Sequence, residues 1–165
     1  MIEADVASLL VRLVLGATMI LHGYNHGLGP GGIDGTARWF GKIGLRPPRL
    51  HAWASCVLEI AAGVGLLVGL LTPLAAAATV GVMAVAGVVA HRKNGFFVFR
   101  DGYEYVLVVA VVCVALGALG PGIVSLDHAL GIAIDGWAGG LVVAGGGLLG
   151  AGLLLALSWR PQRSG

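Results

Sequence analysis

The sequence predicts an all-α, polytopic membrane protein, a bundle of helices that crosses a lipid bilayer several times. Of its 165 residues, 58% are hydrophobic and only 11% are charged, and a soluble domain of this size needs more charge to cover its surface. The apolar residues form long continuous runs. Strands of a membrane barrel would alternate between apolar and polar residues, so the runs predict membrane-spanning helices instead.

Five apolar stretches meet or approach the roughly 20 residues that a helix needs to cross a bilayer. They lie at about 6–22, 53–71, 74–90, 104–119 and 137–159. Thr72-Pro73 is expected to separate the second span from the third, because proline ends one helix and can open the next. The fourth span is short and is expected to end at the Gly-Pro-Gly sequence that follows it.

The segment 34–45 has a different pattern. It places Trp39, Phe40 and Ile43 together at helical spacing, with Arg38 and Lys42 beside them. Aromatic and basic residues in this arrangement are typical of a short helix that lies on a membrane surface. Because the segment is rich in glycine, an irregular loop is the alternative.

Lysine and arginine indicate how the spans are oriented. Five crossings place the loops 23–52 and 91–103 and the C-terminal tail on one side of the membrane. Nine of the ten cations lie on that side: Arg38, Lys42, Arg46, Arg49, Arg92, Lys93, Arg100, Arg160 and Arg163. The other side carries Glu3, Asp5, Asp127 and Asp135 and no cation. The positive-inside rule therefore predicts an outside N-terminus and a cytoplasmic C-terminus, in a bacterial-type inner membrane.

Several functional classes are not supported by the sequence. Cys56 and Cys113 lie in apolar runs without a metal-ligand spacing, so neither a disulfide framework nor a metal site is expected. No haem, flavin, iron–sulfur or dinucleotide motif is recognisable, and no cofactor is identified, although a quinone is a candidate ligand. The basic loops are explained by topology and anionic lipid rather than by nucleic acid. The acidic N-terminus does not resemble a cleaved signal peptide.

Two ionisable residues lie within the apolar runs. Arg12 falls in the first span and Glu59 in the middle of the second. A charged side chain inside the bilayer is costly, so such residues are paired or functional. The two spans run antiparallel, and an Arg12–Glu59 pair is one prediction. The alternatives are that Arg12 extends to the outer surface and that Glu59 is held protonated.

More polar side chains gather at the cytoplasmic ends of the spans: His22, His26, His91, Glu104 and Tyr105. Arg12 and His26 share one face of the first helix. If that face is directed at Glu59, the bundle encloses a polar pocket that opens to the cytoplasm and suits a quinone-like or proton-coupled ligand. The alternative is structural, with one buried pair and histidines that bond only to headgroups or backbone.

Several motifs together resemble the DoxX family of small integral membrane proteins, over about residues 9–127. They are "RLVLGATMILHG" at 12–23, Glu59 followed by Gly63, "HRKNGFF" at 91–97, "GYEY" at 102–105 and "GPGIVSLD" at 120–127. The last two are the most specific, and within the last the motif residues are Gly120, Pro121, Gly122, Ser125 and Asp127. The family often has a lysine after the first helix, where this chain offers His26.

The resemblance implies a four-helix membrane core over residues 1–127, with spans at 6–22, 53–71, 74–90 and 104–119. Residues 128–165 would then add a fifth transmembrane helix at 137–159 and a short basic cytoplasmic tail. This added helix is a candidate for docking a partner or another copy of the chain.

The resemblance also guides the functional prediction. A relative, DoxD, occurs in a thiosulfate:quinone oxidoreductase, bacterial members are linked to oxidative-stress complexes, and a distant animal relative assists receptor assembly. We therefore expect an anchor or accessory subunit of a membrane redox complex, in a homo- or hetero-oligomer, that contacts quinone or lipid. Catalytic residues are unknown and the chain is not expected to be catalytic alone. The alternatives are a non-catalytic scaffold or assembly factor and a small oligomeric transporter or proton pathway.

Overall fold

The computed structural model describes residues 2–161, and the regular secondary-structure elements in that range are all helices. The helices are α1 (Ile2–Leu28), α2 (Gly32–Lys42), α3 (Pro48–Val68), α4 (Thr72–Ala86), α5 (Glu104–Leu119), α6 (Leu126–Ala129) and α7 (Gly136–Ser158). A π-helical turn (Gly87–His91) and a 3₁₀ turn (Arg92–Asn94) prolong α4. The only strand-like feature among the described residues is one isolated bridge between Leu45 and Trp159.

Four of these helices are long and apolar enough to cross a membrane: Ile2–Leu28, Pro48–Val68, Thr72–Asn94 and Gly136–Ser158. The fourth predicted span corresponds to α5, whose 16 residues rise only about 24 Å. The prediction of a polytopic all-α bundle is confirmed. α1 extends past its predicted span at both ends, and α3 begins five residues before its span, because polar end turns continue the helix beyond the apolar run.

The bundle consists of two packed groups. α1 lies along α3, whereas α4 packs with α5 and α7, and contacts of α3 with α4 and of α1 with α5 join the groups. The shared core is apolar, with Met19, Leu66, Val80, Cys113 and Val143 among its buried residues.

Glycine fixes the register between α1 and α3. A Cβ on Gly16 would lie 2.8 Å from the Gly63 carbonyl oxygen, and a Cβ on Gly23 would lie 2.8 Å from that of Cys56. Only glycine allows the two backbones to approach this closely. Glu59, between Cys56 and Gly63, is therefore level with the part of α1 near Ile20.

α7 is packed into the bundle through one face. Gly139, Gly140, Val143, Gly147 and Ala151 are buried on that face, against α4 and α5. A Cβ on Gly147 would meet the Val80 side chain at 2.6 Å, so α4 and α7 are also in close contact. The opposite face exposes large apolar side chains: Leu141, Leu148, Leu149, Leu153 and Leu157.

Most of the cations lie at one end of the bundle, and a group of carboxylates lies at the other. We call the end that contains α2, the loop between α4 and α5 and the end of α7 the basic end, because the cations from Arg38 to Arg160 occur there. The other end, which we call the acidic end, holds Glu3, Asp5, Asp127 and Asp135. Arg163, the last of the nine cations, lies outside the described residues.

The segment predicted to form a surface helix is helical, as α2. Phe40 is buried in a small cluster with Leu45 and Ala52, which attaches α2 to the basic end of α3 and α7. The irregular-loop alternative is therefore wrong. The apolar residues at helical spacing were the informative signal, and the glycines were tolerated because tertiary packing stabilises the helix.

Candidate functional site

An elongated cleft of about 450 Å³ lies between α3, α4 and α7. Small residues open it, chiefly Ala77, Ala78 and Gly81 of α4 and Gly146 and Gly150 of α7. The lining of α4 extends from Leu74 to Ala90, about 24 Å of helix. Ligand pockets have volumes of roughly 300–1,000 Å³ and mostly apolar walls, so this cleft can hold a long apolar molecule.

The cleft has few polar side chains in its lining. They are Glu59, Ser55, His26 and, two helical turns before Glu59 on α3, His51. Glu59 is only 1% exposed. The Ser55 hydroxyl donates a hydrogen bond to Oε1 of Glu59, and Nε2 of His26 lies 3.7 Å from the same oxygen. We call Glu59, Ser55 and His26 the polar head of the cleft.

The second carboxyl oxygen of Glu59 has no hydrogen-bond partner among the described residues. Oε2 is buried, and neither a side chain nor a backbone group of residues 2–161 bonds to it. Buried polar atoms are nearly always hydrogen-bonded, and an unsatisfied one costs about 1–3 kcal/mol. Glu59 therefore has one oxygen with unused hydrogen-bonding capacity, which can accept a hydrogen bond when ionised or donate one when protonated.

α2 covers the polar head from the basic end. The His26 ring stacks on Trp39 with centroids 6.2 Å apart and contacts Phe40 at 5.8 Å. Thr36 donates a hydrogen bond of 2.8 Å to the His26 carbonyl. Because Trp39 and Phe40 also line the cleft, aromatic rings border its polar end.

The end of α7 joins the segment after α2 and closes the cleft at the basic end. The Trp159 indole donates a hydrogen bond of 2.9 Å to the Ile43 carbonyl, and Leu45 pairs with Trp159 as a short antiparallel bridge. The Arg92 guanidinium lies 5.4 Å from the Trp159 ring centroid. α7 thus supplies a wall of the cleft and is bonded at its end to the segment after α2.

His22 and Tyr105 form a separate pair beside the polar head. The Tyr105 hydroxyl lies 3.3 Å from Nε2 of His22, and the two rings are stacked with centroids 5.9 Å apart. His22 is one helical turn before His26 on α1. Neither His22 nor Tyr105 lines the cleft, so they connect α1 to α5 rather than forming its wall.

His91 and Glu104 organise the loop between α4 and α5. Nδ1 of His91 lies 2.9 Å from the Asp101 carbonyl oxygen and 3.4 Å from the Asp101 carboxylate, and Oε2 of Glu104 accepts a hydrogen bond from the Val98 amide at 2.9 Å. The predicted grouping of His91 with Glu59 in one pocket is wrong, because these polar groups are engaged within the loop. No cluster of metal-ligand side chains occurs in the described part of the chain.

The predicted Arg12–Glu59 pair is also wrong. Arg12 is fully buried and donates hydrogen bonds to the carbonyls of Leu66 and Val124. The register of α1 against α3 places Glu59 about eight residues from Arg12 along the helix, or roughly 12 Å. This distance exceeds the reach of the two side chains. Complete burial excludes the surface alternative for Arg12 as well.

Arg12 belongs instead to a clasp at the acidic end. Asp5 accepts a hydrogen bond of 3.0 Å from the Ile123 amide, and Ser8 donates one of 2.7 Å to the Gly120 carbonyl. Together with the bond from Arg12 to Val124, three side chains on one face of α1 hold the segment 120–127. We call Asp5, Ser8 and Arg12 the α1 clasp.

Residues of the motif at 120–127 also have a structural function at the acidic end. The Asp127 carboxylate accepts hydrogen bonds from the amides of Leu71 and Thr72 at 2.6 and 2.8 Å, and so caps the start of α4. Ser125 caps α6 by accepting a bond from the His128 amide. Polar side chains at the acidic end therefore bond mainly to backbone groups of neighbouring segments, although Arg12 Nε and Thr72 Oγ1 have no partner among the described residues.

Sequence reasoning missed Ser55, His51, Asp5 and Ser8. Ser55 precedes Glu59 by four residues, a spacing that places both on one helix face and would have identified it. Asp5, Ser8 and Arg12 also share a face by spacing. His51 lies in the first turn of α3, and no pattern in the sequence points to it.

Among the comparisons with known proteins, only a family model matches the chain. No curated protein and no solved structure matches the chain. The model of the DoxX family matches residues 7–92, which is more than half of the chain and includes His26, Ser55 and Glu59. The motifs at 102–105 and 120–127 lie beyond the matched range. This multi-pass helical membrane protein belongs to the DoxX family.

Proposed function

We propose that this DoxX protein binds a quinone-like molecule in the cleft between α3, α4 and α7, as an anchor or accessory subunit of a quinone-linked membrane redox complex. One observation carries the proposal: a long apolar cleft is lined by a buried carboxyl group, one oxygen of which has no hydrogen-bond partner among the described residues.

The walls and the polar head together suit an amphipathic ligand. Apolar side chains and glycines line the length of the cleft, so an isoprenoid or acyl tail gains favourable burial there. The polar head offers a carboxyl oxygen, a serine hydroxyl and an imidazole within one turn of α3 and the facing part of α1. A ligand with one polar headgroup satisfies the Glu59 oxygen that the protein leaves free.

A ring with oxygen substituents fits the polar head well. A quinone carbonyl accepts a hydrogen bond from protonated Glu59, and a quinol hydroxyl donates one to the ionised form. The Trp39 and Phe40 rings, which border the head, provide surfaces for offset or edge-to-face aromatic contact. The redox centre that exchanges electrons with the quinone belongs to a partner subunit in this proposal. The link to a redox complex is supported by the family resemblance to DoxD.

The decisive experiment is purification in native lipid followed by mass spectrometry of bound molecules and proteins. We expect a quinone to co-purify with the wild-type chain and to be lost from Glu59→Gln. A second variant tests the tail: Gly150 lines the cleft, and a Cβ there meets nothing within 4 Å, so Gly150→Leu should fill the cleft without disturbing the fold.

Gly152→Leu is the matched control for the cleft. Gly152 lies on the same helix, also has open space around its Cβ, and does not line the cleft. Quinone retained equally by Gly150→Leu and Gly152→Leu would overturn the proposal. Protein partners that co-purify without quinone would favour a scaffold, and proton flux by the chain alone in liposomes would favour a transporter.

A further inference from the structure

The loop between α4 and α5 exposes a cluster of large apolar side chains. We call residues 95–103 the aromatic loop. Phe96, Phe97, Val98 and Phe99 are all exposed, Phe99 to 76%. The rings pack on one another rather than on the bundle, with 5.1 Å between the centroids of Phe97 and Phe99. Four consecutive exposed apolar residues require something to cover them.

The backbone of the aromatic loop is hydrogen-bonded within the loop. The Tyr103 amide donates to the Gly95 carbonyl at 3.1 Å, and the Glu104 amide donates to the Phe96 carbonyl at 2.8 Å. The Val98 amide donates to the Glu104 carboxylate, as described above. Irregular backbone does not occur against lipid within the hydrocarbon core, because its polar groups would lose their partners there. Part of the loop backbone is bonded within the loop, and water at the membrane interface can hydrate the rest, so the loop can enter the membrane at the headgroup boundary.

The depth of the loop follows from the length of α5. Its last turns lie beside the start of α7 at the acidic end, where a Cβ on Gly117 would meet the Gly139 carbonyl at 2.8 Å. Because α5 rises only about 24 Å and the hydrocarbon core of a bilayer is about 30 Å thick, the shortfall occurs at the basic end. The aromatic loop begins at that end of α5.

Three cations adjoin the aromatic loop. Arg92 and Lys93 end the α4 extension just before it, and Arg100 lies within it. Phenylalanines beside basic residues are the pattern by which protein segments bind an anionic lipid surface, with rings at the acyl boundary and cations at the headgroups.

From these observations we propose that the aromatic loop inserts Phe97, Val98 and Phe99 into the membrane leaflet at the basic end, and that Arg92, Lys93 and Arg100 bind anionic phospholipid headgroups there. None of the residues 92–103 lines the cleft. The lipid contact and the quinone site can therefore be tested independently.

Fluorescence of a labelled loop tests the insertion. Phe99→Cys carries an environment-sensitive nitrobenzoxadiazole probe in nanodiscs of phosphatidylglycerol. The native cysteines are buried. Wild-type protein treated with the same reagent gives the labelling background. We expect blue-shifted emission and strong quenching by lipids spin-labelled near the headgroup. Asp34→Cys on α2, at the same end and with an exposed side chain, is the control and should be quenched much less.

The headgroup contact is tested separately. Replacing Arg92, Lys93 and Arg100 with glutamine should reduce the phosphatidylglycerol retained in native mass spectrometry, whereas the same replacement of Arg38, Lys42 and Arg49 should reduce it less. Equal losses would overturn the role of the loop cations. Unquenched, water-like emission from residue 99 in the nanodiscs, from protein with wild-type helical content, would overturn the insertion, and protection only after a protein partner is added would point to a protein interface instead.

Discussion

Nε2 of His26 lies 3.7 Å from Oε1 of Glu59, and this contact joins three elements at the polar head of the cleft. His26 belongs to α1, Glu59 to α3, and the His26 ring rests on Trp39 of α2. A ligand at Glu59 would therefore influence the position of α2 through His26. This arrangement separates the histidine that contacts the cleft from the neighbouring histidine that does not.

His26 and His22 are predicted to differ in their effect on the ligand. His26→Ala removes an imidazole from the polar head, and we expect a several-fold loss of co-purifying quinone. His22→Ala breaks only the contact with Tyr105 and should leave the quinone content near the wild-type value. Quantitative mass spectrometry of the two variants, normalised to protein, is the measurement. Equal losses would mean that the polar head extends to the α1–α5 side.

Removal of Arg12 should destabilise the bundle. In Arg12→Leu, the Leu66 and Val124 carbonyls lose their buried donor, with an expected cost of about 3 kcal/mol. Reversible unfolding in mixed micelles measures the free energy of unfolding. Arg38→Leu replaces an exposed arginine at the basic end and should change that free energy by less than about 1 kcal/mol. A cost for Arg12→Leu as small as that of the control would contradict the clasp.

Asp127→Ala tests the cap at the start of α4. The substitution leaves the Leu71 and Thr72 amides without their acceptor, so we expect a loss of about 1–2 kcal/mol in the free energy of unfolding. Asp135 also precedes a helix, α7, but its side chain makes no capping hydrogen bond, and Asp135→Ala serves as the control. Hydrogen exchange at the first turn of α4 should increase in Asp127→Ala alone.

The glycine contact between α1 and α3 predicts another stability difference. Gly16→Ala places a methyl group 2.8 Å from the Gly63 carbonyl, and the overpacking should cost about 1–3 kcal/mol. Gly145→Ala, on α7 with nothing within 4 Å of its Cβ, should be neutral or slightly stabilising because alanine favours the helix. Thermal unfolding in one detergent compares the two, and indistinguishable midpoints would argue against the close approach.

Labelling can establish the orientation that the charges predict. We expect a membrane-impermeant thiol reagent to modify Asp135→Cys in right-side-out vesicles and Arg38→Cys only in inverted ones, because the basic end should face the cytoplasm. Cys56 and Cys113 are buried, so the background should be low. Modification of both variants from the same side would show that these two residues are not separated by the membrane, and the assigned topology would be wrong.

The candidate site was only partly predictable from sequence. Glu59 was identified because a carboxyl group in an apolar run is costly. His26 was identified because it lies on the same face of α1 as Arg12. Their mutual contact was not identified, since hydropathy does not give the axial offset between two helices. Estimated from span centres, Arg12 and Glu59 appeared close enough to pair. The close approach of Gly16 to Gly63 sets a different offset, which separates them.

Hydropathy and charge are local properties, so the sequence by itself determined that this is a helical membrane bundle, where its helices lie and which loops carry the cations. The tertiary structure alone decided which buried polar groups meet. The close approach of Gly16 to Gly63 sets the axial offset of α1 against α3, and this offset brings Glu59 to His26 and Arg12 to the carbonyls of Leu66 and Val124. Likewise, the packing of α7 against α4 creates the cleft, because a cavity depends on the distance between helices remote in sequence.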